Sequence, residues 1–246
     1  MIKDGIKLED NTVNSFLMIG QSNMAGRGEF GDVPGIFNPQ CYMLRMGRWQ
    51  PMREPINTDR PIFEGIFHTG LSLAASFADE LAKDTGNKIG LIPCADGGTS
   101  ISQWMPGGVL YDHAVMMTKL AMRSSTLCGI LWHQGENDCN TDEDLYAHKE
   151  KFKEMITSLR RDLGAENVPV IIGELSHSYG EEWKLGKRPD IMNEGYHAVA
   201  NEIPLCAVVS SEGLSMKSDG IHFDAKSLRI FGKRFFEVYK ETIERK

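Results

Sequence analysis

Five short apolar runs, each followed by a stretch of helical character, constrain what this 246-residue chain can fold into more than any other feature. The runs are SFLMIG (15–20), KIGLIPC (88–94), LCGILWH (127–133), VPVIIGEL (168–175) and PLCAVVS (204–210). Most lack the polar alternation of a strand with one wet face. Such strands are covered on both sides, the usual condition of a parallel sheet. Between them, Leu71, Ala74, Ala75, Ala78, Leu81 and Ala82 recur at helical spacing ahead of Gly86. Residues 111–124, 142–163 (closed by Gly164) and 189–202 (between Pro189 and Pro204) read as further helices. A last helix runs from about Asp224, a candidate N-cap, through Leu228, Phe231, Phe235 and Val238. This alternation predicts a mostly parallel sheet with helices on both faces. QCYMLRMGRWQPM (40–52) reads as a strand, a turn at Gly47 and a second short strand, forming an excursion or an edge pair. Residues 24–68 are loop-rich and have the character of an insertion. No repeat or linker divides the chain, so a single domain over 1–246 is expected.

Composition narrows function by exclusion. Lys and Arg number 27 against 34 Asp and Glu, and the net charge of −7 argues against a surface for nucleic acid. No run of 18 apolar residues is present to span a membrane. The opening MIKDGIKLEDNTVNS lacks the apolar core of a signal peptide, so the expected location is cytoplasmic. Cysteines 41, 94, 128, 139 and 206 are odd in number and form no C-x-x-C pair, which fits reduced, mostly buried thiols.

The stretch FLMIGQSNMAGRGEFG (16–31) poses the functional question. Gly26, Gly28 and Gly31 match G-x-G-x-x-G, but such a loop should follow its strand at once and open a helix. Here the first of these glycines comes six residues after Gly20, and the last runs into Pro34 and Gly35. The alternative is Ser22, two residues past the carboxyl end of a strand, where ligands of open α/β sheets bind. Ser22 is there either a nucleophile or a helix cap. The G-x-S-x-G elbow is not matched, since Met24 stands at its second glycine.

Three other strand ends bear on that choice. ADGGTSISQW (95–104) carries adjacent glycines whose bare N–H groups can approach a ligand. QGENDCN (134–140) is dense in amides and carboxylates, and SDGIHFDAKS (218–227) carries Asp219 and His222. A serine hydroxyl needs a base, and the base needs an acceptor that fixes its tautomer. Asp219, three residues before His222, can hold one ring nitrogen and leave the other for Ser22.

GQSNMAGRG, GGTSISQW, WHQGENDC and SDGIHF, in this order over residues 16–223, resemble the blocks of the SGNH-hydrolase superfamily. The similarity is strongest to the branch holding the acetylxylan esterases of carbohydrate esterase family 6 and the sialate O-acetylesterases. The resemblance implies a flavodoxin-like three-layer α/β/α sandwich with a central five-stranded parallel sheet. It implies Ser22 as nucleophile, His222 as general base and Asp219 behind it. It also implies an oxyanion hole from the Ser22 amide, a glycine amide (Gly98 rather than Gly97) and the third-block side chain, at the position of Gln134.

Glu136 is a second acid for His222, a binder of a substrate hydroxyl, or an anchor of its loop. His133 is expected to be structural. A metal site from His133, Glu136 and Asp138 matches no familiar zinc spacing, so no metal or cofactor is expected. Gln21, Asn23, Arg27 and Trp104 are candidates for substrate contact, and Trp49 for either a sugar platform or the core. The thirteen methionines read as core filler. The expected partner is an acetylated carbohydrate, deacetylated through an acetyl-serine; oligomeric state is left open. A sialic acid as substrate would call on Arg27, Arg45 or Arg60. Promiscuous short-chain ester hydrolysis shares the mechanism. A carbohydrate-binding protein on an inactive esterase scaffold is the alternative of another class.

Overall fold

In a computed structural model, which describes residues 13–57 and 69–244, the five apolar runs form β1 (Val13–Gly20), β4 (Lys88–Pro93), β5 (Ser125–His133), β6 (Val170–Gly173) and β7 (Cys206–Val209). The segment around Gly47 forms β2 (Cys41–Arg45) and β3 (Arg48–Pro51). The sheet order is β3-β2-β4-β1-β5-β6-β7. All neighbours pair parallel except β2 and β3. The sheet therefore has seven strands, not five. β2 adds a sixth parallel strand by pairing Cys41, Tyr42 and Met43 with Ile89, Gly90 and Leu91, and β3 closes the edge antiparallel.

The helices are α1 (Ser22–Ala25), α2 (Leu73–Thr85), α3 (Val109–Ala121), α4 (Asp142–Leu163), α5 (Tyr179–Glu182), α6 (Arg188–Glu202) and α7 (Ala225–Glu244). Local chemistry sets their ends. The Ser72 hydroxyl accepts from Ala74 N at the start of α2, and the Asp224 carboxylate accepts from Ser227 N at the start of α7. Pro189 sits in the first turn of α6, where its missing N–H costs nothing.

β1 divides the core in two because successive side chains point to opposite faces. Leu17 and Ile19 join the cluster of Trp132, Phe152, Met192 and Tyr196, beneath α3, α4 and α6. Phe16 and Met18 join Phe77, Phe231 and Phe235, beneath α2 and α7. Phe16 meets Phe77 and Tyr239 edge to face, with ring centroids 5.0 and 5.2 Å apart. α2 and α7 approach so closely that a Cβ on Gly232 would lie 2.0 Å from the Leu73 carbonyl oxygen. All five cysteines are free thiols, and burial pushes Cys94 up to about 12. Among the described residues no helix is long and apolar enough to cross a membrane.

The chain leaves β1 toward β2 and β4 on one side, then crosses to β5, β6 and β7 on the other. This reversal opens a crevice at the carboxyl ends of β4, β1 and β5. One buried ion pair braces the loop beside it. Arg229 of α7 grips both oxygens of Glu54, whose Oε1 also accepts from Ser72 N at 3.0 Å; their side chains are 12% and 4% exposed. Removing one partner strands a buried charge. Glu54→Ala should lower the unfolding free energy by about 3–5 kcal/mol in urea titration. The double change Glu54→Leu with Arg229→Met should cost less than Glu54→Ala alone.

Candidate active site

Ser22 stands in the crevice because the chain turns sharply after β1. Gly20 has φ +127°, and a Cβ there would lie 2.1 Å from the His133 carbonyl oxygen, so only glycine passes. The next N–H, of Gln21, donates to that same carbonyl at 2.8 Å, and Asp96 N donates to Gly20 O at 2.9 Å. The turn that carries Ser22 is thus tied to the loops after β5 and β4.

His222 comes from the loop between β7 and α7. His222 Nδ1 lies 2.9 Å from Asp219 Oδ2, and Nε2 lies 2.9 Å from Ser22 Oγ. An ionised carboxylate only accepts, so the proton belongs on Nδ1; bare Nε2 then accepts from the Ser22 hydroxyl. Asp219 Oδ1 also accepts from the N–H groups of Ile221 and His222, at 3.0 and 2.9 Å. Partial burial raises the Asp219 carboxyl, but these N–H donors and the imidazole outweigh it and hold the group below its ordinary range. Asp219 is therefore an anion fixed in geometry, suited to orient the imidazole and to stabilise an imidazolium.

A cleft of about 300 Å³ opens over Ser22 and His222. Gly97, Gly98, Asn137, Arg27, Tyr179 and Trp183 are among the residues that line it. Gly97 is pressed so close that a Cβ would come within 2.7 Å of Arg27 Nη2 and 3.4 Å of the Ser22 Cβ. The arrangement provides a hydroxyl held by an oriented imidazole, with backbone and amide donors alongside, which is the equipment for acyl transfer.

The model of the family described as "Carbohydrate esterase, sialic acid-specific acetylesterase" matches residues 12–241. The chain belongs to this family. A protein of Arabidopsis thaliana described as a "probable carbohydrate esterase" is 30% identical, over 91% of this chain and 89% of its own length. The crystal structure of the Arabidopsis protein superposes with a TM-score of 0.83 and 24% identity, covering 94% of this chain and 99% of that one. That of NanS superposes at 0.78 with 17% identity, covering 96% and 99%. A carbohydrate acetylesterase from Xanthomonas citri gives 0.68 with 17% identity, over 95% of this chain but 57% of its own. These neighbours carry the α/β fold of the SGNH hydrolases.

Within this carbohydrate-esterase frame several expected roles move. Gln134 is fully buried and outside the cleft lining. Its amide N–H groups go to Thr99 O (2.8 Å) and the Asp138 carboxylate, with Gln21 Oε1 at 3.2 Å, and its Oε1 accepts from His148 Nε2 (3.0 Å). No donor remains for an oxyanion. Asn137, three residues on and carried by the 3₁₀ turn Asn137–Asn140, reaches the cleft instead. No hydrogen bond to another described residue ties up its side-chain amide.

Trp104 is 1% exposed; it packs edge-on against Trp132 and donates to Thr99 Oγ1, so it walls the core and not the pocket. Trp49 is half-buried in β3, over Gly90. An exposed aromatic at the cleft is Trp183, just past α5, 48% exposed and donating to Asp219 O at 3.1 Å. The hydrophilic HSYGEEW carried little to mark it.

Asn23 is 1% exposed and bonded to Glu136 and to the His222 loop, so it does not face substrate. Gln21 and Arg27 do line the cleft. Gln21 Oε1 accepts from Gly135 N at 3.3 Å. Arg45 is turned away to Pro55 O, and Arg60 lies outside the described residues.

Glu136 does not pair with His222. Its Oε1 accepts from Asn23 Nδ2 at 2.7 Å and lies 3.6 Å from His133 Nδ1. His133 is buried between Phe223 and Phe231 and donates from Nε2 to Glu174 O; burial chiefly lowers its pKa. Among the described residues no cluster of three or more His, Cys, Asp or Glu is arranged to hold a metal.

Beneath the cleft, burial pushes Asp138 up to about 6, against hydrogen bonds from Gln134 and Ile101 N, and pushes His148 down to about 3. Folded His148 therefore stays neutral where an unfolded chain binds a proton. Its stabilisation is complete above about pH 6.5 and is lost as pH falls toward 3. Asp138 contributes the opposite slope as pH falls through 6 toward its unfolded value. His148→Gln should remove the first slope and leave the second. Relative to wild type, the variant should gain on the order of 2–3 kcal/mol in urea-unfolding free energy between about pH 7 and pH 4.5. Identical pH dependence in the two proteins would show that His148 does not carry it.

Proposed function

We propose that the protein is a metal-independent serine esterase that removes O-acetyl groups from a carbohydrate through an acetyl-serine. The observation that carries this reading is the continuous Ser22–His222–Asp219 hydrogen-bonded chain, 2.9 Å at each link, at the floor of a cleft. Ser22 Oγ attacks the acetyl carbonyl as Nε2 of His222 takes its proton. Asp219 stabilises the imidazolium. The charge that develops on the carbonyl oxygen falls to the backbone N–H of Ser22, an N–H of the Gly97–Gly98 turn and the Asn137 amide. His222 returns the proton to the departing sugar oxygen; it then deprotonates the water that releases acetate.

On the sugar side, Trp183 offers an exposed ring face at the cleft, backed by Tyr179 with ring centroids 6.1 Å apart. A flat, C–H-rich pyranose face suits such a platform. An acetylated xylo-oligosaccharide fits this neutral recognition. Arg27 in the lining favours a second substrate class, an O-acetylated sialic acid, whose carboxylate a guanidinium can pair. The intact Ser–His–Asp chain speaks against an inactive, purely carbohydrate-binding scaffold.

Acetate release is the direct test, measured with acetylated xylo-oligosaccharides and with O-acetyl sialic acid in the presence of EDTA. Wild type should release acetate from at least one of them. Ser22→Ala should release none while keeping the wild-type melting temperature; activity in that variant would remove Ser22 as nucleophile. Trp183→Ala should lower kcat/KM for the preferred sugar about tenfold and change turnover of p-nitrophenyl acetate much less. Equal losses on both esters would place Trp183 in the support of Asp219 rather than in sugar binding.

A further inference from the structure

The residue after the nucleophile, Asn23, holds the chain on both sides of the base. Its Oδ1 accepts from Phe223 N at 3.0 Å and its Nδ2 donates to Ile221 O at 3.0 Å, so one planar amide brackets His222. These partners leave no freedom to exchange the amide's oxygen and nitrogen, because a backbone N–H only donates and a carbonyl only accepts. The second hydrogen of Nδ2 goes to Glu136 Oε1 at 2.7 Å. Glu136 is itself 2% exposed, and its backbone carbonyl accepts from the Tyr179 hydroxyl at 3.0 Å. Three loops that arrive from separate strand ends are therefore joined through one amide and one carboxylate.

We propose that Asn23 and Glu136 are positioning residues: Glu136 orients the Asn23 amide, and the amide sets the reach of His222 to Ser22. The inference rests on the esterase reading above. It assigns Glu136 an acceptor's task, distinct from that of a second acid behind the imidazole. Asp219 already occupies Nδ1 of His222, and Ser22 occupies Nε2. Both ring nitrogens are spoken for, so a carboxylate acts on this histidine only through its backbone. Proton transfer between Ser22 and His222 depends steeply on their separation; a displacement of about 1 Å is enough to cost ~10²-fold in rate.

The test is steady-state acetate release by Asn23→Ala, Glu136→Ala, Glu136→Gln and the double Asn23→Ala/Glu136→Ala, with Asp219→Asn for comparison. Active sites are counted by stoichiometric reaction with a phosphonate ester, so that kcat refers to folded, reactive enzyme. Asn23→Ala and Glu136→Ala should each lower kcat per titrated site ~10²-fold with KM within about twofold of wild type. The double variant should be no worse than the poorer single, because both act through the same bracket. Glu136→Gln should fall less than about tenfold, since an amide oxygen still accepts from Asn23, whereas Asp219→Asn should lose on the order of 10⁴.

Should Asn23→Ala not fold, the two Glu136 variants carry the same comparison. A loss in Glu136→Gln as deep as in Asp219→Asn would overturn the proposal in favour of a charge role. So would an unchanged kcat per titrated site in both alanine variants, which would leave the pair a purely structural part. Absence of turnover by wild type on every acetylated sugar would instead overturn the esterase reading, and this inference with it.

Discussion

β1 is hydrogen-bonded along its length to β4 on one side and β5 on the other, and its last residue is pressed against the backbone of His133. That contact leaves the chain one exit, through the turn that carries Gln21 and Ser22. The loops after β4 and β5 are bonded to the same turn, so the Gly97–Gly98 turn and the Asn137 segment are placed relative to Ser22 by backbone contacts. Positions held in this way need no reorganisation when charge develops, which is the main source of electrostatic catalysis.

The histidine reaches Ser22 by a different route. Its loop follows β7, at the far edge of the sheet, and must cross back to the centre. A short antiparallel bridge between Met216 and Phe223 folds the loop on itself, and the bond from Lys217 N to His222 O tightens it. Asp219 then shapes the turn internally, accepting from two N–H groups of its own loop as well as from the imidazole. One carboxylate thus holds both the loop backbone and the imidazole. The brace through Asn23 and Glu136 supplies the long-range part, tying the loop to the turn after β1.

The polar layer beneath the cleft explains why several polar residues near the site do not face it. Gln134, Asp138, His148 and Tyr196 satisfy one another: Tyr196 donates to Gln134 O at 2.6 Å, and Asp138 accepts from Ile101 N. Buried polar groups are costly unless paired, so the residues of HQGEND divide between that layer and the cleft. Gln134 and Asp138 go down, Asn137 lines the cleft, and Glu136 lines it too while its Oε1 accepts from Asn23. A linear reading places all of them at the strand end but gives no direction for any.

Strand–helix alternation, the parallel sheet and the chemical set of Ser22, Asp219 and His222 were legible in the sequence, because they rest on periodicity and on residue types close together along the chain. Asp219 and His222 are three residues apart, so their pairing is a property of one turn. The strand–turn–strand around Gly47 was legible as an excursion or an edge pair, and the fold makes it the edge pair; its docking on β4 was not legible, since β2 joins β4 across about forty residues of intervening chain. Nor were the outward turn of Asn137, the inward turn of Trp104 or the arrival of Trp183 beside Asp219. Ser22 and His222 are 200 residues apart and share a hydrogen bond only once the loops have packed. The sequence by itself determined which groups stand at the carboxyl edge; the tertiary structure decided which face the cleft, because side-chain direction at a strand end is set by the loops packed against it.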